Sequence, residues 1–76
     1  MDNTIQLQYQ STVFNDDRVH IYDCGSDISE LKNKLIMFIK SGDVDIKKSK
    51  VIQIKNGKQF QLLTSFELQL LMINYD

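Results

Sequence analysis

The chain has few of the residues that stabilise small proteins through covalent or metal links. Its single cysteine, Cys24, excludes an internal disulfide, and a single histidine, His20, leaves the chain short of the four ligands of a structural zinc site. The 76 residues form one domain, 1–76, and ordering them costs roughly 1.5 kcal/mol per residue, which a core of this size barely offsets. We therefore expect no metal and no cofactor, and a homodimer as the additional source of stability.

Long apolar runs are also missing. The longest, residues 35–39, has five residues, whereas a membrane span takes about 18. The N-terminus lacks the basic segment and apolar stretch of a secretory signal, so we expect a complete cytoplasmic protein without membrane contact. Ala, Pro and Trp are absent, whereas Ile, Lys, Asp and Asn are abundant. This bias matches AT-rich codons and indicates an AT-rich genome, such as that of a low-GC bacterium or one of its phages.

The first quarter of the chain predicts a β-hairpin. Residues 4–14 alternate, with Ile5, Leu7 and Tyr9 on one face and glutamines on the other. After a turn cluster at 15–17, residues 18–24 read as a second strand. In that strand we expect Val19 and Ile21 to face the core, and His20 and Tyr22 to face away.

A helix over 28–41 follows from capping and spacing. Asp27 and Glu30 stand at the N-cap and N3 positions of a near capping box, and Gly42 lies where a C′ glycine belongs. The apolar residues recur at helical spacing. They are Ile28, Leu31, Leu35, Phe38 and Ile39.

Residues 50–63 contain Asn56-Gly57, a strong hairpin signal. A two-residue turn would place Ile52 and Ile54 opposite glutamines. A three-residue loop over 55–57 would instead pair Ile52 with Phe60 and put the apolar residues of both strands on one face. We expect the second register, because a slip of one residue moves the whole apolar set to the other face.

The last segment, 64–76, fits two structures. Thr64 and Glu67 resemble a capping box, and Phe66, Leu70 and Ile73 fit a helix face, although alternate residues from 66 to 72 would also suit a strand. We favour a short helix. The predicted fold class is α+β, in the order β-β-α-β-β-α, with a mostly antiparallel four-stranded sheet and one main helix across one face. The surplus apolar residues of the tail are candidates for a dimer interface: Leu68, Leu71, Met72 and Tyr75.

No catalytic constellation is present in the sequence. Cys24 and His20 lie four residues apart on one predicted strand, about 13 Å at roughly 3.3 Å per residue, which is too far for a nucleophile and its base. The acidic pairs Asp16-Asp17 and Asp43-x-Asp45 fall in predicted turns, where aspartate is common for backbone reasons. We expect a protein that is not an enzyme, with no catalytic and no metal-ligating residues.

Charge is divided between the two parts of the chain. Residues 1–30 hold six carboxylates and one arginine, and residues 31–76 hold eight lysines and four carboxylates. Carboxylates of the first part are predicted to form an acidic edge that binds a basic partner surface. The alternative is that they form a solvated face without a partner. The residues of this edge are Asp16, Asp17, Asp23, Asp27 and Glu30. A basic set could instead contact nucleic acid, although the chain has one arginine and no aromatic run among the lysines. Its residues are Lys47, Lys48, Lys50, Lys55 and Lys58.

A small chain without a catalytic motif, encoded by AT-rich codons, resembles the early host-takeover proteins of phages. These are compact α+β proteins that inhibit a host protein by binding it, and several mimic DNA with carboxylates. Two segments also resemble the short peptide that binds the bacterial DNA sliding clamp, namely 59–63 (QFQLL) and 69–73 (QLLMI). Neither ends in the usual Leu-Phe, and Phe60 stands where Leu is usual.

This resemblance implies an inhibitor of a host DNA-handling protein, such as a replication or transcription factor, that acts through the acidic edge. A small nucleic-acid-binding protein that uses the lysines, and a structural or assembly subunit, remain the alternatives.

Overall fold

Two central strands, residues 3–11 and 44–55, pair with each other, and each has a further strand on its other side. The computed structural model describes residues 3–13 and 17–75. The strands are β1 (Asn3–Ser11), β2 (His20–Asp23), β3 (Val44–Lys55) and β4 (Lys58–Leu63), and the helices are α1 (Ile28–Ser41) and α2 (Ser65–Tyr75). The strand order is β2-β1-β3-β4, and every neighbouring pair is antiparallel. The predicted α+β class and the four-stranded antiparallel sheet are confirmed.

One face of the sheet carries both helices, and we call it the inner face. Leu7 lies opposite Val51 in the β1–β3 ladder, and their side chains share a buried cluster with residues of α1 and α2. The members of this core are Ile5, Leu7, Cys24, Leu31, Leu35, Val51 and Leu68. The prediction of one main helix on the sheet is therefore incomplete, because α2 also closes the core through Leu68.

Helix α1 begins and ends at the predicted residues. The Asp27 carboxylate caps it by accepting hydrogen bonds from the Ser29 backbone N–H at 2.9 Å and the Ser29 hydroxyl at 2.6 Å. Gly42 ends the helix with an extended backbone, φ −122°, rather than the left-handed conformation of a C′ glycine. A Cβ at this position would lie 3.1 Å from the Phe38 carbonyl oxygen, so close approach favours glycine here.

Helix α2 confirms the favoured structure of the last segment. Its capping box is reciprocal, since Thr64 N–H donates to Glu67 Oε1 at 3.0 Å and Glu67 N–H donates to Thr64 Oγ1 at 3.2 Å. The predicted apolar face is wrong, however, because Phe66, Leu70 and Ile73 are exposed. The helix is apolar on most sides, so its sequence alone could not tell which side meets the sheet.

The predicted orientation of the second strand is also wrong. Val19 and Ile21 are exposed, whereas Tyr22 lies opposite Leu7 and packs against the core. Its ring stacks on Phe38 with centroids 4.0 Å apart. Both orientations satisfy a period of two, and the aromatic contact with α1 favours the one that buries Tyr22.

The second hairpin adopts the register that we had not favoured. Asn56 and Gly57 both have positive φ, 53° and 79°, as a two-residue turn of the primed type requires. Ile52 and Ile54 therefore lie opposite glutamines, at positions 61 and 59. An irregularity next to Val51 brings Leu63 opposite that residue, so apolar residues of β4 still reach the inner face without the three-residue loop.

Leu35 tests this core most directly, because it is fully buried between the sheet and the helices. We expect Leu35→Ala to lower the free energy of unfolding by about 2–5 kcal/mol, through lost apolar burial and the cavity left behind. Met37, on the same helix, is 72% exposed, and Met37→Ala should change stability by less than about 0.5 kcal/mol. Urea unfolding followed by circular dichroism measures both. A loss below about 1 kcal/mol for Leu35→Ala would contradict this core.

Candidate functional site

The outer face of the sheet carries neither helix, and glutamines of two strands lie on it beside charged and apolar side chains. Gln6 and Gln8 of β1 point outward, as predicted, and Gln61 of β4 lies on the same face, across from Ile52. Ile52 belongs to the outer face but is only 4% exposed. The outer face therefore mixes glutamines with charged residues, Asp23 and Lys50, and with apolar residues, among them Ile21 and Ile52.

A pronounced bulge in β3 interrupts this face at one end. In the β1–β3 ladder, Gln8 pairs with Lys50 and Gln10 pairs with Asp45. Between these two pairs, β3 has four residues, 46–49, whereas β1 has only Tyr9. The Ser49 hydroxyl donates to the Asp45 carbonyl at 2.7 Å, and Ser49 is 2% exposed. This hydrogen bond closes the bulge and fixes its shape.

The bulge places three lysines around one depression of about 460 Å³. Lys47 and Lys48 come from the bulge itself, and Lys50 follows it on β3. The other residues of the lining are polar except for one valine: Gln8, Val19, Ser49, Gln61, Thr64 and Ser65. Among the described residues, no carboxylate lines the depression. We call this the basic depression.

Two acidic residues lie close in sequence to residues that line the basic depression, and both accept hydrogen bonds from nearby backbone N–H groups. Asp45 Oδ1 accepts from the Lys47 backbone N–H at 3.3 Å, and Glu67 Oε1 accepts from Thr64 N–H in the capping box. Each carboxylate thus has a backbone role beside the basic depression. Three lysines against these two carboxylates leave a net positive charge at the basic depression.

The remaining predicted lysines lie elsewhere. Lys55 and Lys58 pair with each other on either side of the Asn56-Gly57 turn. They are five or more residues from Lys50 along the hairpin, which is about 16 Å. The structure therefore divides the predicted basic set into three lysines that converge and two that do not.

The predicted acidic edge is only partly assembled by the described residues. Asp16 lies outside them, and Asp17 is exposed in the segment before β2. Asp23, Asp27 and Glu30 surround the connection from β2 to α1. Asp23 Oδ1 accepts from Gly25 N–H at 2.8 Å, Asp27 caps α1, and Glu30 lies 3.8 Å from the Lys34 ammonium. Three of its members thus have local roles.

The Asp27 carboxylate illustrates such a role. Hydrogen bonds from the Ser29 hydroxyl and backbone lower the pKa of Asp27 below its ordinary value, because both stabilise the ionised form. Its charge therefore serves helix α1, whose N-terminus favours an anion.

Cys24 and His20 do not form a catalytic pair. Cys24 alternates with His20 and Tyr22, which we expected to face away from the core, but it is completely buried, and its Sγ donates to the Tyr22 carbonyl at 3.6 Å. Burial raises the pKa of the Cys24 thiol, which disfavours the reactive thiolate. His20 stacks on Tyr9, with ring centroids 5.4 Å apart. The two residues have separate surroundings, and the described part of the chain holds no group of three metal-ligating side chains.

The predicted dimer residues are mostly turned inward. Leu68 is fully buried in the monomer core, so its assignment to an interface is wrong. Leu71 packs against the core and Met72 is half-buried, while the Tyr75 side chain lies outside the described residues. The clamp-like segments 59–63 and 69–73 lie in β4 and α2 rather than in an extended tail.

Comparison with known proteins gives no relative from which a role could be transferred. No family model matches the chain, and neither a curated protein nor a solved structure is significantly similar to it. Within the described residues, neither helix combines the length and apolarity needed to cross a membrane. The site must therefore be interpreted from its own geometry.

The sequence analysis named the three lysines of the basic depression but did not predict the bulge that brings them together, although a signal for it was present. Lys47, Lys48 and Lys50 interrupt the alternation of β3, and three lysines within four positions cannot all follow a regular period of two. A break of this kind is typical of a bulge. The partner residues Gln8 and Gln61 come from two other strands, so only the assembled sheet shows them beside the lysines.

The capping role of Asp27 predicts a pH dependence of stability. Because its pKa is lowered in the folded state, the carboxylate contributes stability above the unfolded pKa of about 3.9 and loses it as the pH falls through the lower folded value. The stability difference between the natural protein and Asp27→Ala should therefore be constant near neutral pH and shrink below about pH 4. Asp27→Asn, which keeps an acceptor oxygen but does not titrate, is the control. Parallel pH profiles of the natural protein and Asp27→Ala, measured by urea unfolding, would refute this role.

Proposed function

We propose that this chain is a non-enzymatic nucleic-acid-binding protein that contacts the phosphate backbone through the basic depression. The observation that carries the proposal is the convergence of Lys47, Lys48 and Lys50 on one concave surface of the sheet. Lysine ammonium groups bind phosphate oxygens as point charges and release the counterions of the nucleic acid.

The neighbouring side chains suit the same ligand. Gln8 and Gln61 carry amide groups that can donate hydrogen bonds to phosphate or sugar oxygens, and Ser65 carries a hydroxyl. With the three lysines they offer donors on several sides of the depression. Such contacts position a backbone without reading its sequence.

Base recognition has little support from the outer face. The described aromatic rings of the β1–β2 hairpin pack inward, with Tyr9 and Tyr22 both against Phe38, so the sheet offers no stacking platform at these positions. Arginine, the residue that most often reads guanine, occurs once in the chain, at position 18. We therefore propose binding that depends on charge rather than on sequence.

An inhibitor of a host DNA-handling protein, of the phage type, is the second candidate. The observation that favours it is the exposure of Asp17, Asp23, Asp27 and Glu30, which lie in or beside the segment from β2 to the first turn of α1. These carboxylates suit a basic protein surface as their partner. Examples are the DNA-binding surface of a host protein and the surface by which a sliding clamp binds its partners. This candidate predicts no affinity for duplex DNA, and a loss of partner binding when Asp17 and Asp23 become Asn.

Salt dependence distinguishes the two candidates. If three lysines contact phosphates, the binding constant for a short duplex should fall with salt at a logarithmic slope of about −3, since each phosphate contributes about −0.9. The double variant Lys47→Gln/Lys48→Gln should weaken binding at low salt and reduce the slope by about two. Fluorescence anisotropy of a labelled duplex at several salt concentrations measures both quantities.

The hairpin tip supplies a matched control. Lys55→Gln/Lys58→Gln removes the same number of charges from a site that faces away from the basic depression, and should leave the slope nearly unchanged. If both double variants lose the same binding affinity, the nucleic acid is attracted by net charge alone, and the assigned site is contradicted. Absence of binding to duplex and single strands at low salt would refute the proposal and favour the protein-binding candidate.

A further inference from the structure

Helix α2 presents an unpartnered apolar stripe on the side opposite the core. Phe66, Leu70 and Ile73 are spaced by four and three residues and are 65%, 42% and 71% exposed. Leu68, on the other side of the helix, is fully buried. A stripe at this spacing forms one continuous seam along a helix, whereas the exposed side chains of α1 and β2 are more scattered.

The polar residues beside the stripe limit what can cover it. Glu67 is the only charged residue of α2, and the last turn holds no basic residue. Helices that lie on membranes carry lysine or arginine beside their apolar face, and a nucleic acid would be repelled by Glu67. The stripe therefore suits a protein surface that is itself apolar and nearly uncharged.

We infer that a second copy of this chain covers the stripe, with the two α2 helices packed antiparallel about a two-fold axis near Leu70. In this arrangement the stripe matches itself, because Phe66 of one copy faces Ile73 of the other. Antiparallel helix dipoles attract each other. The two Glu67 carboxylates are separated by about 9 Å along the axis, whereas a parallel pair would bring them side by side.

The area of the stripe fits a small interface of this kind. With about 200 Å² for each fully exposed side chain, the stripe offers roughly 350 Å² of apolar surface per copy. A standard interface takes about 800 Å² from each partner, of which about 520 Å² is apolar in a homodimer. The stripe therefore supplies most of the apolar centre, and the polar residues that flank it, Gln69 and Asn74, would form part of the rim.

The dimer does not depend on the proposed nucleic-acid binding, but it would have a consequence for it. Thr64 and Ser65, at the N-terminal end of α2, line the basic depression. An antiparallel pair therefore places the two depressions at opposite ends of the helix pair, related by the two-fold axis.

Sedimentation equilibrium across the micromolar range tests the inference. We expect the weight-average mass to rise with concentration from 8.9 kDa towards twice that value. Leu70→Lys should keep the mass at that of the monomer, because it places two ammonium groups together at the axis. Met37→Lys, which replaces an apolar residue on the other helix that is more exposed than Leu70, 72% against 42%, should dimerise like the natural protein. Circular dichroism of each variant verifies the fold.

A mixing experiment tests the antiparallel geometry. Phe66→Lys and Ile73→Glu should each dimerise poorly alone, whereas an equimolar mixture should form a heterodimer in which the new lysine faces the new glutamate. Parallel helices would not bring these positions together, so a mixture that stays monomeric would overturn the antiparallel arrangement. A natural protein that is monomeric at every concentration would overturn the dimer itself, and so would a dimer that Leu70→Lys leaves intact.

Discussion

The antiparallel pairing of β1 with β3 is the interaction on which the rest of the structure depends. It joins segments more than thirty residues apart and sets Leu7 opposite Val51. Once that register is fixed, alternate residues of both strands face the two helices, and Leu35 and Leu68 close the core over them. The same register leaves the other residues on the outer face. A slip of one position in β1 would move Ile5 and Leu7 to the outer face and turn the glutamines of this strand towards the helices.

The bulge in β3 connects this pairing to the candidate site. Since β1 offers only Tyr9 between two paired positions, residues 46–49 must leave the regular ladder, and the hydrogen bond from Ser49 to the Asp45 carbonyl holds them there. The lysines of this segment consequently gather at one depression instead of alternating across the sheet. The bulge thus re-aims side chains of β3 and brings their charges together.

Some ionisable and apolar side chains of this small chain stabilise local structure, and others form its external surfaces. Asp23 and Asp27 satisfy backbone N–H groups around the start of α1, which helps a short chain to form helices and turns without disulfides. The lysines of the bulge line a surface instead. Helix α2 similarly buries one apolar side and exposes another, because a single layer of sheet cannot cover a helix that is apolar on most sides.

The sequence by itself determined the features that depend on neighbours along the chain. Helix α1, its Asp27 cap, the Thr64 and Glu67 capping box and the strand-rich α+β order all follow from residues a few positions apart. The tertiary structure decided which face of each ambiguous element is buried: Tyr22 rather than Ile21 in β2, and Leu68 rather than Leu70 in α2. It also decided the hairpin register and the gathering of the lysines. These choices depend on contacts with segments that are distant in sequence. A period of two or of 3.6 shows which residues share a face, but it does not specify the segment against which that face packs.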